Sequence, residues 1–443
     1  MDQRTSDRDA GATTQFERDV VELLGEAMSK AAKQQREDVG TESVLSALVS
    51  GESAAGSAIA PGMRASGSLG GSIGCRGTSV WVSADAGDGA AGDPDDEREI
   101  DALWREVRHE ETQRQRRKNR KNQKNQKDQR NQNDQRQQRK QGEEQGSDQV
   151  QVQVQVQVQD QEPENVAIPP MTGALRVCLR EALEAARDEG TLSVRVRHVA
   201  RALVESPDTR AREAMVVEKL DIGAASAALD ALRGSDEVPE PAAVLVLRKA
   251  GTFGKSGNPL SRKFTAWILG GGAGFGSAVV AVVRSEARRG AVRRGASEPR
   301  PVDVLLGILT LDRSLTVAGR ELPEKLTGAN QGARLLRRHG ARQDAVARVM
   351  LPSTGVAEEA PVEVVGTAEF EQRLLHVTQY TASAQGSSTV GTTHLLAALL
   401  DGTGTDAESA AEIERVLTES GVDVAGLRAE PELQVPGGAA QAA

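Results

Sequence analysis

The sequence contains very few aromatic residues, with Phe, Trp and Tyr together making up 2% of the chain. Aromatic side chains usually supply much of the apolar area of a protein core. A core without them must be built from Leu, Val, Ala and Ile, which suits small helical bundles. Cysteine is equally scarce. Cys75 and Cys178 cannot form a disulfide framework or a metal cluster, and Cys178 lies on an apolar helix face, so we expect it to be a core residue.

The sequence also lacks complete motifs of nucleotide-binding and hydrolytic enzymes. The stretch GTFGKS at 251–256 ends like a phosphate-binding loop, but the motif requires a glycine where Lys249 stands. GGSIG at 70–74 matches a hydrolase motif in letters, yet it lies in a Gly/Ser-rich stretch rather than at a strand-to-helix turn. The five histidines show no paired-ligand spacing, and we interpret His394 as structural. We therefore expect no enzyme activity, no ATP binding, no cofactor and no metal.

Long apolar runs are absent apart from residues 265–283, which carry no charge. Five glycines in the middle of this stretch weaken a helix and lower its hydrophobicity. We predict a loop followed by a buried helix, with a membrane span as the alternative. The first residues, MDQRTSDRDAGATTQ, are polar and of mixed charge and do not resemble a signal peptide. A cytoplasmic location without membrane contact is therefore expected.

What the sequence does contain is a repeat. VGTESVLSAL at 39–48 returns as VGTTHLLAAL at 390–399, an offset of 351 residues. The same offset places Leu23, in the preceding helical stretch, on Leu374. A constant register over roughly 30 residues indicates a repeated supersecondary unit.

The unit is predicted to be a helix pair. Apolar residues at spacings of three and four mark the first helix face: Val20, Leu23, Leu24, Ala27, Met28 and Ala31. Gly40 then ends the loop and Thr41 is predicted to be the N-cap of the second helix. One such pair cannot bury its apolar face alone, so further copies are expected. A second lies at 177–206 and a poorer third at 277–290 and 301–309. Four half-copies pair naturally into two domains, which predicts an all-α fold.

These residues resemble the Clp repeat, the substrate-receiving N-terminal domain of bacterial Clp unfoldases. Phe16 and Gly40 have the separation of the family's phenylalanine and its Gly-Thr-Glu-His motif. The motif's histidine is matched by His198 and His394, but the first copy has Ser43 and the third has Asp303. The resemblance covers about half of the chain and is strongest in the first and last copies.

Composition then suggests the domain organisation. Residues 52–99 are Gly/Ser-rich and then acidic, and residues 105–140 are basic with almost no apolar residues, which predicts disorder or an isolated polar helix. Gln and Val alternate over 149–159, which predicts a coil or a short strand. We expect the arm at 105–161 to be dispensable for folding. The predicted units are half-repeat 1 at 14–60, a disordered linker at 61–165, half-repeat 2 at 170–233, a linker at 234–264, divergent half-repeat 3 at 265–351, half-repeat 4 at 366–430 and a disordered tail at 431–443.

The resemblance implies a function. Clp unfoldases carry ATPase modules after this domain, and the sequence supplies no motif of those modules. The chain therefore resembles a free-standing protein-binding module, which would recognise substrates, degrons or adaptors of the Clp ATP-dependent proteolysis and chaperone system. Its partners would be Clp unfoldase or protease components, adaptors or client proteins. The alternative is a nucleic-acid-associated protein that binds phosphates through its basic arm at 114–140.

The resemblance also implies binding residues. In some members of the family the glutamate of Gly-Thr-Glu helps to hold a phosphorylated arginine of a client protein. Thr41 and Glu42 match that motif in the first copy, whereas the corresponding glutamate positions hold Arg197, Val302 and Thr393 in the others. Thr41 and Glu42 are therefore the candidate residues for a peptide or phosphoarginine. The alternative is that Glu42 only favours the positive end of its helix dipole.

Overall fold

The structure is a computed structural model. It describes residues 15–51, 53–76, 81–87, 92–143, 169–191, 193–233, 240–254, 277–351, 369–402 and 405–434, with side chains of the 94–143 helix described as far as residue 125. These residues form 19 α-helices and short 3₁₀ turns, and no strand is found among them. The predicted all-α class is confirmed. The Gln/Val stretch at 149–159 lies outside the described residues.

The helices follow one another in four groups, each of which contains one of the predicted copies. The first copy contains α1 (Arg18–Lys33), α2 (Thr41–Ser50), α3 (Ala54–Ile59) and α4 (Gly62–Cys75), and the long α5 (Pro94–Glu143) follows. The second contains α6 (Gly173–Asp188), α7 (Val196–Glu205), α8 (Arg210–Val217) and α9 (Ile222–Ala231). After α10 (Ala242–Lys249), the third contains α11 (Ala278–Arg294), α12 (Pro301–Val317), α13 (Glu324–Thr327), a 3₁₀ turn (Gly328–Asn330), α14 (Gly332–Arg338) and α15 (Gln343–Met350). The fourth contains α16 (Glu369–Ala384), α17 (Thr392–Leu400), α18 (Ala407–Glu419), α19 (Val424–Arg428) and a 3₁₀ turn (Pro431–Leu433).

Two short backbone bridges join the first and second copies, and each copy contributes one segment to each bridge. Phe16 forms a parallel bridge with Val194, and Val39 forms one with Met171. Val194 N donates to Gln15 O at 2.8 Å, and the second bridge repeats this contact through Val39 N and Pro170 O at 2.7 Å. In each bridge the segment before one helix pair joins the interhelical loop of the other copy. Copies one and two are therefore related by an approximate two-fold axis.

Two apolar cores result from this pairing. The first copy and the second copy bury their predicted stripes against each other, so that the side chains from Phe16 to Ile73 share a core with those from Leu175 to Leu229. The third and fourth copies form the second core, whose buried residues run from Ala243 to Leu433. At about 25 cal/mol per Å² of apolar surface, this mutual burial is what stabilises the pairing of otherwise half-exposed helix pairs.

The predicted disordered linker at 61–165 is wrong in two places. Leu69 and Ile73 of α4 are buried in the first core, although their surroundings are Gly/Ser-rich. Helix α5 contributes Ile100, Leu103, Trp104 and Val107 to the same core. These four positions follow the helical spacing of three and four, which is an amphipathic pattern. Composition hid both stripes because few apolar residues carry each of them.

Other linker predictions also need correction. Within the predicted linker at 234–264, helix α10 places Val244 and Leu247 in the second core. At the predicted tail, Leu433 is buried in that core as well, while 435–443 lie outside the described residues. Of the charge-free stretch at 265–283, residues from 278 onwards belong to α11 and those before 277 are not described. No helix in the described part of the chain has the length and apolarity that a bilayer span requires.

Helix α5 also connects the two cores through buried ion pairs. Arg293 of α11 contacts Glu99 at 2.7 Å and Glu106 at 2.9 Å, and Arg289 contacts Glu106 at 2.5 Å. Burial opposes ionisation of Glu106, but the two guanidinium groups together hold its pKa below the ordinary value. The arm at 105–161, which the sequence predicts to be dispensable for folding, therefore begins with two buried residues, Glu106 and Val107.

Candidate functional site at the start of the second helix

The candidate residues Thr41 and Glu42 are the first two residues of α2. The N-cap is Gly40, which has extended backbone angles of φ −97° and ψ 178°, so the prediction that Thr41 is the N-cap is wrong. Gly40 is needed for space rather than for an unusual φ. A Cβ at this position would lie 2.2 Å from Glu42 Oε2 and 3.0 Å from Arg210 Nη1.

The Thr41 hydroxyl connects α2 to the second copy. It donates to Asp85 Oδ1 at 2.8 Å and accepts from the backbone N–H of Ala211 at 3.0 Å. Ala211 is the second residue of α8, so the hydroxyl satisfies one of the N–H groups that a helix start leaves unpaired. The first turn of α8 is thus held directly against the first turn of α2.

The carboxylate of Asp85 lies at the centre of this arrangement and is buried. Its Oδ1 accepts from Thr41 Oγ1 and from Arg210 N at 3.1 Å, and its Oδ2 accepts from Thr41 N at 2.9 Å and from Thr172 Oγ1 at 2.8 Å. The donors come from the starts of α2, α6 and α8. Helix N-termini favour negative charge because their N–H groups and dipoles point toward it. The donors at these helix starts therefore form an anion site, and the carboxylate of Asp85 occupies it.

Glu42 lies beside this anion site and is fully buried. Its Oε1 accepts from Arg36 Nη1 at 2.6 Å and from Ser43 Oγ at 3.1 Å. Its Oε2 accepts no hydrogen bond from any residue that the structure describes, and Arg210 Nη1 is 3.8 Å away. Burial raises the pKa of Glu42, while Arg210 and Arg36 act in the opposite direction. The glutamate is thus an internal ion-pair partner and not only a charge at a helix start.

Asp85 is delivered by the segment Trp81–Gly87, which we call the strap. Glu213 Oε2 accepts from Val82 N at 2.8 Å and from Ser83 N at 3.2 Å, and Ala174 N donates to Asp85 O at 3.0 Å. The guanidinium of Arg76 lies 5.1 Å from the centre of the Trp81 ring. Sequence reasoning missed Asp85 because it is one of several acidic residues in a Gly-rich stretch. Only the long-range fold brings it to Thr41.

The second core repeats this layout without charge. Thr392 N donates to Asn330 Oδ1 at 2.9 Å, and Thr392 Oγ1 accepts from Gly332 N at 3.2 Å. Thr393 Oγ1 accepts from Gln331 N at 2.8 Å. Gly391 again provides space, since a Cβ there would lie 2.1 Å from a backbone oxygen. Thr393 occupies the position of Glu42, and Asn330 occupies that of Asp85. The second core therefore has neither of the two carboxylates found in the first.

In the second, third and fourth copies, the residue that matches the histidine of the Gly-Thr-Glu-His motif caps the start of its helix. His198 Nδ1 accepts from Arg195 N at 2.9 Å, His394 Nδ1 accepts from Gly391 N at 3.1 Å, and Asp303 Oδ2 accepts from Arg300 N at 2.7 Å. Burial and the neighbouring Arg197 lower the pKa of His198 to about 4, although Glu189 opposes the shift. His394 thus forms the hydrogen bond at a helix start that the structural interpretation expects.

Two further sequence predictions can be placed. Cys178 is buried in the first core, as predicted, and burial raises the pKa of its thiol to about 12. The basic arm begins as a continuation of α5, in which residues 116–125 are exposed. No group of His, Cys, Asp and Glu side chains in the described part of the chain could hold a metal ion.

Comparisons with known proteins add no identity. No protein-family model, no curated protein and no solved structure matches the chain. The resemblance to the Clp repeat therefore depends on the residues and the register described above.

Proposed function

We propose that the chain is a protein-binding module that recognises substrates, degrons or adaptors of the Clp ATP-dependent proteolysis and chaperone system. The observation that carries the proposal is the paired helix start at Thr41, where two helix N-termini, a threonine hydroxyl and a buried glutamate meet. Glu42 matches the glutamate that, in some members of the resembled family, helps to hold a phosphorylated arginine of a client protein. The two cores of paired copies support the same proposal.

The chemistry of the first core favours a ligand that combines an anion with a guanidinium. An anion suits the N–H groups of Thr41 and Arg210, which now point at Asp85. A guanidinium suits Glu42, whose carboxylate now binds Arg36 at 2.6 Å. Asp85 thus holds the place that the phosphate of a phosphoarginine side chain would take, and the guanidinium bonded to that phosphate would lie beside Glu42. The second core offers neither group, and we assign client binding to the first.

The test is a titration of a phosphoarginine peptide against the wild type and two single variants. Glu42→Gln keeps the shape of the side chain and removes its charge, whereas Thr393→Ala changes the matching position of the second core. We expect Glu42→Gln to weaken binding at least tenfold and Thr393→Ala to leave it unchanged. Circular dichroism confirms that each variant is folded. Equal affinity of all three proteins, or no binding by any of them, contradicts the proposal.

Nucleic-acid binding through the basic arm at 114–140 is the second candidate function. The observation that favours it is the exposed helical surface at 116–125, which carries Arg116, Arg117, Lys118, Arg120, Lys121 and Lys124. Binding to phosphates releases counterions, so affinity should fall steeply with salt. A gel shift with random DNA at several salt concentrations tests this candidate. Binding of the phosphoarginine peptide without any shift of the DNA supports client binding and contradicts nucleic-acid binding.

A further inference from the structure

The anion site at the start of α2 is closed by the chain itself. The Asp85 carboxylate receives backbone N–H bonds from Thr41 and Arg210 and hydroxyl bonds from Thr41 and Thr172. Any external anion that uses these N–H groups must first remove Asp85. The question is therefore whether the strap is a permanent part of the core or an occupant that can leave.

With Asp85 in the anion site, two buried polar atoms beside it lack hydrogen-bond partners. Glu42 Oε2 and Arg210 Nε are both buried, and neither forms a hydrogen bond with any described residue. A Cβ added to Gly40 would lie 2.2 Å from Glu42 Oε2, 2.9 Å from Asp85 Oδ2 and 3.0 Å from Arg210 Nη1, so these groups lie close together around Gly40. A buried polar atom without a partner costs about 1–3 kcal/mol. The unused acceptor next to the anion site matches a ligand that brings its own donor beside its anion.

The remainder of the strap is weakly buried. Val82 is 93% exposed, Ala84 and Ala86 are exposed as well, and Trp81 is only partly buried against the first core. Asp85 itself has a positive φ of 54°, which costs a residue other than glycine about 1 kcal/mol. The contact of Val82 N with Glu213 is exposed, so water can replace it, whereas that of Ser83 N is partly buried. The backbone of the strap is also held by Ala174 N and Arg210 Nη2, but its one buried side chain is that of Asp85, whose carboxylate accepts four hydrogen bonds.

We propose that the strap is an internal competitor that an incoming phosphorylated side chain displaces. The phosphate takes the N–H and hydroxyl donors now used by Asp85, and the strap leaves the starts of α2 and α8. This inference rests on the proposed function of Thr41 and Glu42 as the client site. It adds a means of regulation to that site. If the strap covers the site in most molecules, the apparent Kd equals the intrinsic Kd divided by the fraction of molecules in which the site is open.

The experiment titrates the phosphoarginine peptide against the wild type, Asp85→Asn and Asp208→Asn. Asp85→Asn keeps the size of the side chain but removes the charge that competes with phosphate. Asp208→Asn is the matched control, because this exposed residue touches the strap only through its backbone oxygen, which accepts from Ser83 Oγ at 2.8 Å. We expect Asp85→Asn to bind at least tenfold more tightly than the wild type, and Asp208→Asn to bind like the wild type. Amide hydrogen exchange at 82–87 should also become faster when the wild type is saturated.

The outcomes separate the two proposals. Binding of equal strength by the wild type and Asp85→Asn overturns the strap as a competitor but leaves the client site in place. No binding by any of the three proteins overturns the client site itself, and the strap inference with it. If Asp85→Asn does not fold, hydrogen exchange in the wild type decides. Faster exchange at 82–87 on saturation supports displacement, and unchanged or slower exchange overturns it.

Discussion

The two cores solve the same structural problem with different chemistry. Each needs an acceptor for the N–H groups of its threonine-led helix, and each uses a glycine before the threonine to make room. In the first core the acceptor is the carboxylate of Asp85, and in the second it is the amide oxygen of Asn330. A neutral amide is sufficient to cap the helix, so the charge of the first core exceeds what folding requires. The proposal of a charged ligand at the first core rests on this difference.

The largest expected contrast between the cores concerns Glu42 and its counterpart Thr393. Glu42→Ala leaves the guanidinium of Arg36 buried without its carboxylate, since Arg36 has a side-chain exposure of 3%. Breaking a buried pair in this way typically costs about 3–5 kcal/mol of unfolding free energy. Thr393→Ala removes one neutral hydrogen bond to Gln331 and should cost about 1 kcal/mol. Urea denaturation measures both, and equal costs would show that the charged pair contributes nothing special.

The next contrast concerns the two capping residues. Asp85→Ala removes four accepted hydrogen bonds at three helix starts, and we expect a loss of about 2–4 kcal/mol. Asn330→Ala removes the acceptor for Thr392 N and should cost about 1 kcal/mol. Thermal melts of the two variants test this order. A larger loss of stability for Asn330→Ala than for Asp85→Ala would contradict the view that the charge of Asp85 strengthens the cap of α2.

A pH-dependent contrast arises from His198 in the first core. Its pKa of about 4 lies below the ordinary value of 6.5, so the unfolded chain binds more protons than the folded chain between these values. Stability is therefore fully present above pH 6.5 and is lost as the pH falls toward 4, by up to about 3 kcal/mol. His198→Gln should flatten this part of the curve, whereas the exposed His376→Gln should not. An NMR titration that places the pKa of His198 near 6.5 contradicts the prediction.

The smallest effect is expected for the outer part of the arm. Deleting 126–143 leaves the side chains that join α5 to the two cores in place, and we expect the melting temperature to stay within about 2 °C of the wild type. Extending the deletion back to residue 105 removes Glu106 and Val107, which are buried. This longer deletion should lower the melting temperature by several degrees. Equal melting of both deletions would restore the original expectation of a dispensable arm.

The parts of the fold that were predictable from the sequence are those governed by local periodicity. The apolar stripe from Val20 to Ala31 and its counterparts predicted the helix pairs, because helical spacing places those residues on one face. The same rule applied to Ile100, Leu103, Trp104 and Val107 would have found the buried part of α5. These residues were overlooked because the polar composition of the sequence around them dominated the interpretation.

The candidate site was less predictable because long-range contacts determine its chemistry. The sequence pointed to Thr41 and Glu42, but not to Arg36 and Asp85 as their partners. Asp85 lies 44 residues from Thr41, and its contact with Arg210 spans 125 residues. The fold had to bring three helix starts together before one aspartate could be distinguished from its acidic neighbours.

The most direct test of the account is to map where a bound client side chain lies. A photo-crosslinking phosphoarginine peptide is bound to the full chain, and the crosslinked residues are identified by mass spectrometry. The account predicts crosslinks in the first turns of α2 and α8, which the strap at 81–87 leaves when the side chain binds. It predicts none around Thr392 in the second core. Crosslinks that cluster at Thr392 or on the arm at 116–125, or that appear equally in both cores, would contradict it.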